Sequence, residues 1–436
     1  MRSFSKTSLK TAATITLMCI GAALAQFNTP TNARVSALSG AHVSDISGAY
    51  RYPVLMTGYL NHVQTTWVPS GGGGFIGVKS IGDIFSIGVL ANQGLMSPDF
   101  TYDASADLNG FLSSLQTNYP PQQVDPFDSN NMVIPHLMLG VDLGMFALGA
   151  DLFLEYGSYG EITADTTKYN ASISHPGFRL SGKIDLSAVE ILAKFGLGFP
   201  SIDAAITHDT VTFTRSSNEG LYMEMGAEAD IPLGGVDLIL GICYTQNNYR
   251  FMSSSNILGI SLPDAETYTS SLFNAYFGAE FNFLETAVAM LGYSIYRYSN
   301  TTVTDLILAY PLEVLRISGQ RSVTDPVNYS HIIYAGVENA WDKAWIFDSF
   351  QLRGGARYVI NTTGGEASGG ADTTTGSHRF SPTNYSLPAV HSRIIPTVGV
   401  GVSKSFATLD LSLNPMAWNE LFNGPGVGMI TATIKF

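Results

Sequence analysis

The residues able to do chemistry are few, and their spacing suits little of it. The eight histidines (His42, His62, His136, His175, His208, His331, His378 and His391) are scattered along 436 residues. None of the short spacings that set two imidazoles on one metal occurs. Ser330 and His331 are adjacent, and adjacent residues of a strand point to opposite faces, so they form no nucleophile–base pair. The glycine runs at 71–74 and 364–370 lack the Lys-Ser/Thr of a phosphate-binding loop. Pro120-Pro121 with Asp125 and Asp128 matches no calcium-loop spacing. The expectation is no catalytic residue, no metal and no cofactor; a site assembled from distant residues stays open, and none is named. What remains is a set of charges that recur at alternate positions. The acids are Glu155, Asp185, Glu224, Glu228 and Glu280, with Asp151, Glu190, Asp230 and Asp237; the bases are Arg179, Lys183, Arg353 and Arg357, with Lys194. Such a set either selects ions by its field or forms ion pairs that make a polar interior tolerable.

Alternation requires strands, and the composition says where those strands stand. Charged residues are 13% of the chain, about half the roughly 25% of a soluble domain. That excludes a disordered, highly charged chain. A net charge of −13 excludes an electrostatic nucleic-acid binder. Residues 1–25 read as a cleaved signal peptide: Arg2, Lys6 and Lys10, an apolar stretch from Thr11 to Ala22, then Ala23-Leu24-Ala25. With Cys19 removed, Cys243 is the single cysteine and no internal disulfide forms. No later run of 18 uncharged apolar residues could span a bilayer as a helix. A closed barrel is the other structure that satisfies its backbone in lipid.

The period-2 pattern agrees. Phe273, Ala275, Phe277, Ala279, Phe281 and Phe283 alternate with Asn274, Tyr276, Gly278, Glu280 and Asn282. Phe178, Leu180, Ile184 and Leu186 oppose Arg179, Ser181, Lys183 and Asp185. The runs 219–231 and 344–358 behave alike, whereas 61–68 is weak and 326–340 ambiguous. Short turns near Gly82-Asp83, Leu143-Gly144, Ser187-Ala188, Gly234-Gly235, Leu284-Glu285, Asp342-Lys343 and Lys404-Ser405 alternate with long connections, of which 93–131 is longest. Within it Asp103 to Leu115 has the spacing of a short amphipathic helix. Short turns on one side and long loops on the other are the outer-membrane pattern. Trp67, Trp341, Trp345, Tyr293, Tyr296 and Trp418 are expected in interfacial girdles, and Cys243 is expected to point inward. The last strand sets Ile430, Ala432, Ile434 and a terminal Phe436 on one face, an expected signal for the barrel-assembly machinery.

Before the first strand come Asn32-Ala33-Arg34, Leu38-Ser39-Gly40-Ala41, Asp45-Ile46 and Tyr50-Arg51-Tyr52-Pro53. This series resembles the N-terminal region of FadL-like outer-membrane barrels and their PorV-like relatives. In that family an Ala-Arg, Gly-Gly-Ala, acidic, Asn-Pro series folds as a plug inside the barrel. Ser39-Gly40 stands here at the double glycine and Tyr52-Pro53 at the Asn-Pro. The resemblance implies a plug that includes Arg34, Gly40, Asp45, Tyr52 and Pro53. It also implies either passage of hydrophobic molecules or work beside secretion machinery.

The expected protein is thus all-β: a transmembrane antiparallel β-barrel of 14–16 strands with an N-terminal plug-like segment and long extracellular loops. Residues 1–25 are the signal peptide, 26–56 the periplasmic or plug segment, and 57–436 the barrel in the outer membrane. Its partners are outer-membrane lipid, the assembly machinery and a small-molecule ligand, with no nucleic acid. The expected function is passive transport or binding of small molecules. The alternative is a closed structural or secretion-partner barrel acting through its outer loops.

Overall fold

A computed structural model describes residues 33–38, 46–67, 73–91, 132–133, 135–162, 167–208, 211–217, 219–257, 260–261, 264–309, 316–324, 327–343, 346–364, 368–369, 390–413 and 427–436. The signal peptide, the 93–131 helix with Asp125 and Asp128, Gly40, Asp45, Trp345 and Trp418 lie outside the described residues.

The chain forms one closed barrel of sixteen antiparallel strands. They are β1 (His62–Trp67), β2 (Gly73–Ile81), β3 (Phe85–Ala91), β4 (Pro135–Asp142), β5 (Phe146–Ile162), β6 (Thr167–Asp185), β7 (Glu190–Gly198, continuing as Ser201–His208), β8 (Val211–Ser217, continuing as Leu221–Pro232), β9 (Val236–Ile257), β10 (Asp264–Leu284), β11 (Ala287–Ala309), β12 (Arg316–Thr324, continuing as Val327–Asp342), β13 (Ser349–Gly364), β14 (Val390–Lys404), β15 (Ala407–Leu413) and β16 (Val427–Lys435). Each strand pairs with its neighbour in sequence, and β1 closes the ring against β16 with His62 opposite Lys435 and Trp67 opposite Ile430. Closure leaves no open edge.

The short turns fall where the sequence sets them. Left-handed backbone occurs at Gly82, Gly144, Ser187, Gly234, Gly235, Lys343 and Ser405, one or two in each of six turns. These positive-φ positions suit tight hairpins, whose twist matches the strands they join. The long-loop side differs from expectation. Much of 158–175, 200–217, 251–266 and 300–325, expected among the long connections, is strand rather than loop. These segments are rich in Thr, Ser and Asn, so their hydropathy carries no clean alternation, while their Thr and Tyr keep β-propensity.

The two faces separate as the pattern requires. Leu180, Phe277, Leu291 and Leu352 stand outward and exposed. Arg179, Glu224, Glu228 and Arg353 stand inward and buried. A water-soluble protein would hide the first set; a barrel in a bilayer presents it to lipid. Leu180→Arg therefore discriminates. Its Leu is 50% exposed, so the change would be nearly neutral against water. Against lipid it should cost about 2–4 kcal/mol at mid-depth, read by denaturant-dependent folding into vesicles. No destabilisation would reverse the face assignment.

One girdle expectation is corrected. Tyr293 lies outward, with its hydroxyl 2.7 Å from His331 Nδ1, and Trp67 and Trp341 are exposed. Tyr296 instead shares the inward parity of Ser294 and lies within electrostatic reach of Arg51 and Arg357. A tyrosine's type does not choose its face; its parity does.

Candidate functional site

Inside the barrel, near the short-turn end, lies an inner segment built from helix α1 (Ala33–Ala37) and two 3-10 turns, Ile46–Tyr50 and Pro53–Gly58. Pro53 opens the second turn, where its fixed φ fits and its missing N–H is no loss. The segment touches wall strands around the circumference. The Ala33 N–H donates to Thr431 Oγ1 on β16 at 2.8 Å, and Thr397 Oγ1 on β14 donates to the Ala37 carbonyl at 2.8 Å. On the far side the Val54 N–H donates to Ser181 Oγ on β6 at 2.7 Å.

Glycines in the wall let the backbone come this close. A Cβ at Gly149 would fall within 3.0 Å of Val54 N and Cα, and one at Gly399 within 3.0 Å of the Ala37 Cβ. The wall answers with apolar patches. Met56, Ile46 and Tyr50 pack with Ile76, Val78, Leu90 and Met138; Leu38 packs with Met290 and Tyr334; Tyr52 and Val54 pack with Ala147 and Leu192. These inward apolar positions leave β2 and β3 without a clean polar face. In β2 and β3 both faces are hydrophobic.

The charges gather where the segment meets the wall. Arg34 pairs with Glu338 at 2.8 Å; Glu338 also takes Arg353 at 2.5 Å, and Arg353 reaches Asp410 at 2.6 Å. Arg51 pairs with Glu228 at 2.9 Å, its guanidinium lying over the rings of Tyr52 and Tyr276, and the Tyr276 hydroxyl donates to Glu228. Arg179 grips Asp151 at 2.6 Å and donates through Nη1 to the Tyr50 carbonyl at 2.6 Å, while His136 holds the same aspartate at 3.0 Å. Lys194 pairs with Glu224, which also accepts from Tyr222, and the lysine lies over the Tyr52 ring. Burial raises the Tyr52 phenol well above its ordinary range. The arrangement is one of charge-paired tethers, each guanidinium or ammonium meeting an acid in a confined space.

The remaining expected residues lie as follows. Glu155 is fully buried and 2.5 Å from His175 Nδ1. Lys183 and Glu190 form a looser pair at 3.3 Å. Asp185 sits at a turn and accepts from the Ser187 N–H. Glu280 is half-buried on the inner face opposite Asp237. Arg357 points inward, and its Nε has no acceptor among the described residues. Cys243 faces inward opposite Asn274. Ile430, Ala432, Ile434 and Phe436 share one face of β16, and the Phe436 N–H donates to the Asn61 carbonyl at 2.9 Å.

Sequence reasoning did not name His136, His175, Glu338 or Asp410 for this site. The signal was parity: His136 shares its face with Met138, and His175 shares its own with Arg179. A carboxylate that orients an imidazole is general-base geometry. Here His175 is fully buried, and a Cβ on Gly198 would overlap its Nε2 side, so no substrate face is open. Among the described residues no group of three or more His, Cys, Asp or Glu is placed to hold a metal ion.

No family model matches the sequence, and no curated protein does. Solved structures share the barrel form at low identity. A Pseudomonas aeruginosa FadL homologue is 11% identical with a TM-score of 0.42, covering 94% of this chain and 100% of its own. The P. putida toluene transporter TodX is 11% identical with a TM-score of 0.41, covering 93% and 98%. The ferric yersiniabactin uptake receptor FyuA from Yersinia pestis is 10% identical with a TM-score of 0.35, covering 86% and 79%.

Proposed function

We propose that this barrel resides in an outer membrane and passes or binds small molecules, with the inner segment as a plug whose displacement opens the path. The observation that carries this reading is how the segment is held. Sixteen strands enclose a lumen that water or protein must fill. Here the lower part is filled by residues 33–38 and 46–58, held through discrete ion pairs, a few hydrogen bonds, glycine seats and separate apolar patches. The ion pairs exchange for water on release, and the apolar contacts are separate patches rather than one continuous core. The two arginines Arg34 and Arg51 are the tethers carried by the segment itself.

The test is solute-dependent swelling of vesicles holding the refolded protein. Arg34→Ala combined with Arg51→Ala removes both tethers, and swelling in a small neutral solute should rise several-fold over the unaltered chain. No swelling in either form, from protein that migrates as a folded barrel, would contradict the transport reading. It would favour the closed barrel that works through its outer loops.

Assembly follows from the last strand. We propose Ile430, Ala432, Ile434 and Phe436 as the recognition face for the insertion machinery, with residues 1–25 as the export signal. Phe436 also packs beside Val63 and Phe75 and lies under the Lys79 ammonium at 4.9 Å. Deleting Phe436 should lower the amount of folded barrel recovered from cell envelopes while leaving spontaneous refolding in detergent nearly unchanged. Equal loss in both would make the residue a packing element only.

A further inference from the structure

The inner wall carries two cations of another kind. Six inward or segment cations each meet a carboxylate: Arg34, Arg51, Arg179, Lys183, Lys194 and Arg353. Arg357 on β13 and Arg393 on β14 meet none among the described residues. Arg357 shares the inward parity of Arg353, and Arg393 stands opposite Val359 on the same inner face. They are therefore diagonal neighbours, roughly 7–8 Å apart at Cα. The electrostatic neighbours of Arg357 are Arg393, which repels it, and the uncharged phenol of Tyr296. Tyr334 lies directly opposite Arg357 on β12. The Nε of Arg357 is buried without an acceptor among the described residues.

Like charges set side by side on a sheet destabilise each other, and a buried guanidinium N–H without an acceptor carries a full desolvation cost. Both burdens lift if an anion with two or more oxygens sits between the forks. Both residues stand farther from the short turns than Glu338 and Glu228 do, toward the long-loop end. The ion-pair network below cannot supply that anion, because each of its acids named above already faces a cation.

We infer that Arg357 and Arg393 form an oxyanion-binding station in the lumen, on the loop side of the inner segment, for a phosphate, sulfate or carboxylate group of a small solute. The inference deepens the transport reading and rests on it. It names the charge of what the path receives.

The probe is inorganic phosphate, titrated calorimetrically into the full refolded chain in a phosphate-free detergent. Native protein should bind it with one site. Arg357→Gln combined with Arg393→Gln should weaken binding about tenfold or more, while Arg297→Gln, an exposed arginine on the outer face, should leave it unchanged. Arg357→Lys, which keeps the charge but loses the fork, should fall between. The double variant should also unfold at a higher temperature than native protein without phosphate, because a repulsion is gone. No binding by native protein, or equal binding by all variants, overturns the inference. A phosphate-bearing solute competing at the same site would mark the headgroup of a larger molecule as the source; inorganic phosphate alone would mark the free ion. Failure of the transport reading is distinct: phosphate binds, and vesicles still do not swell when the tethers are cut.

Discussion

Gly149→Val should expel the inner segment from a barrel that otherwise stays folded. The site has no room for a side chain, since even a Cβ would overlap the Val54 backbone rather than a movable side-chain tip. β5 cannot retreat, because it is hydrogen-bonded to β4 and β6 along its length. The segment must therefore leave, and it gives up the burial of Tyr52, Val54 and Met56, all at 0–1% exposure. Each fully buried side chain of that kind is worth about 1.5–3 kcal/mol, so expulsion has a real cost, but overlap of the added side chain with the Val54 backbone leaves no docked alternative. Trypsin supplies the readout, because Arg34 and Arg51 are cleavable only when the segment is out. Native protein should resist at both positions, and the variant should be cut at both while keeping its heat-modifiable migration. Resistance in the variant would mean that Val54 does not seat on Gly149.

The second large effect is Asp151→Ala. This carboxylate is fully buried and serves two partners, Arg179 at 2.6 Å and His136 at 3.0 Å. Removing it leaves the Arg179 guanidinium, 1% exposed, with the Tyr50 carbonyl as its remaining named acceptor. Breaking a buried pair by deleting one partner costs about 3–5 kcal/mol, since the other charge stays desolvated. The loss should appear as a lower unfolding midpoint in denaturant. Asp151→Asn should cost less, because its amide oxygen still accepts from Arg179. Asp185→Ala should cost little by comparison, since its carboxylate is at an exposed turn. Equal effects at positions 151 and 185 would contradict the buried network.

How much of this the sequence discloses depends on what each residue is asked to do. Strands facing lipid on one side and polar lumen on the other declare themselves, as Phe178 to Leu186 do. Turns that need left-handed backbone declare themselves through Gly234-Gly235 and Gly144. Strands that face lipid on one side and the inner segment on the other do not. Ile76, Val78 and Leu90 are apolar because Met56 packs on them, so β2 and β3 lose their period. The extensions of β9 to β12 are hidden for another reason, since their sequences mix polar and apolar residues without a period of two. The charged positions were legible as a set but not as pairs. Arg353 and Glu338 lie on adjacent strands 15 residues apart, whereas Arg34 reaches Glu338 across 304 residues, a distance that only closure of the barrel sets. Glycine seats are the least legible of all: Gly149, Gly399 and Gly292 look like ordinary strand glycines until Val54, Ala37 and Tyr334 are seen lying on them.

The central claim is that the inner segment controls the path. Single-channel conductance in a planar bilayer tests it most directly, comparing the chain without residues 1–25 with one that also lacks residues 26–56. The account predicts a silent or rarely open full-length barrel and steady conductance after the deletion. Equal steady conductance in both would contradict it by showing that the path runs beside the segment. Silence in both, from protein shown to be folded, would contradict it by showing that the barrel carries no path to control.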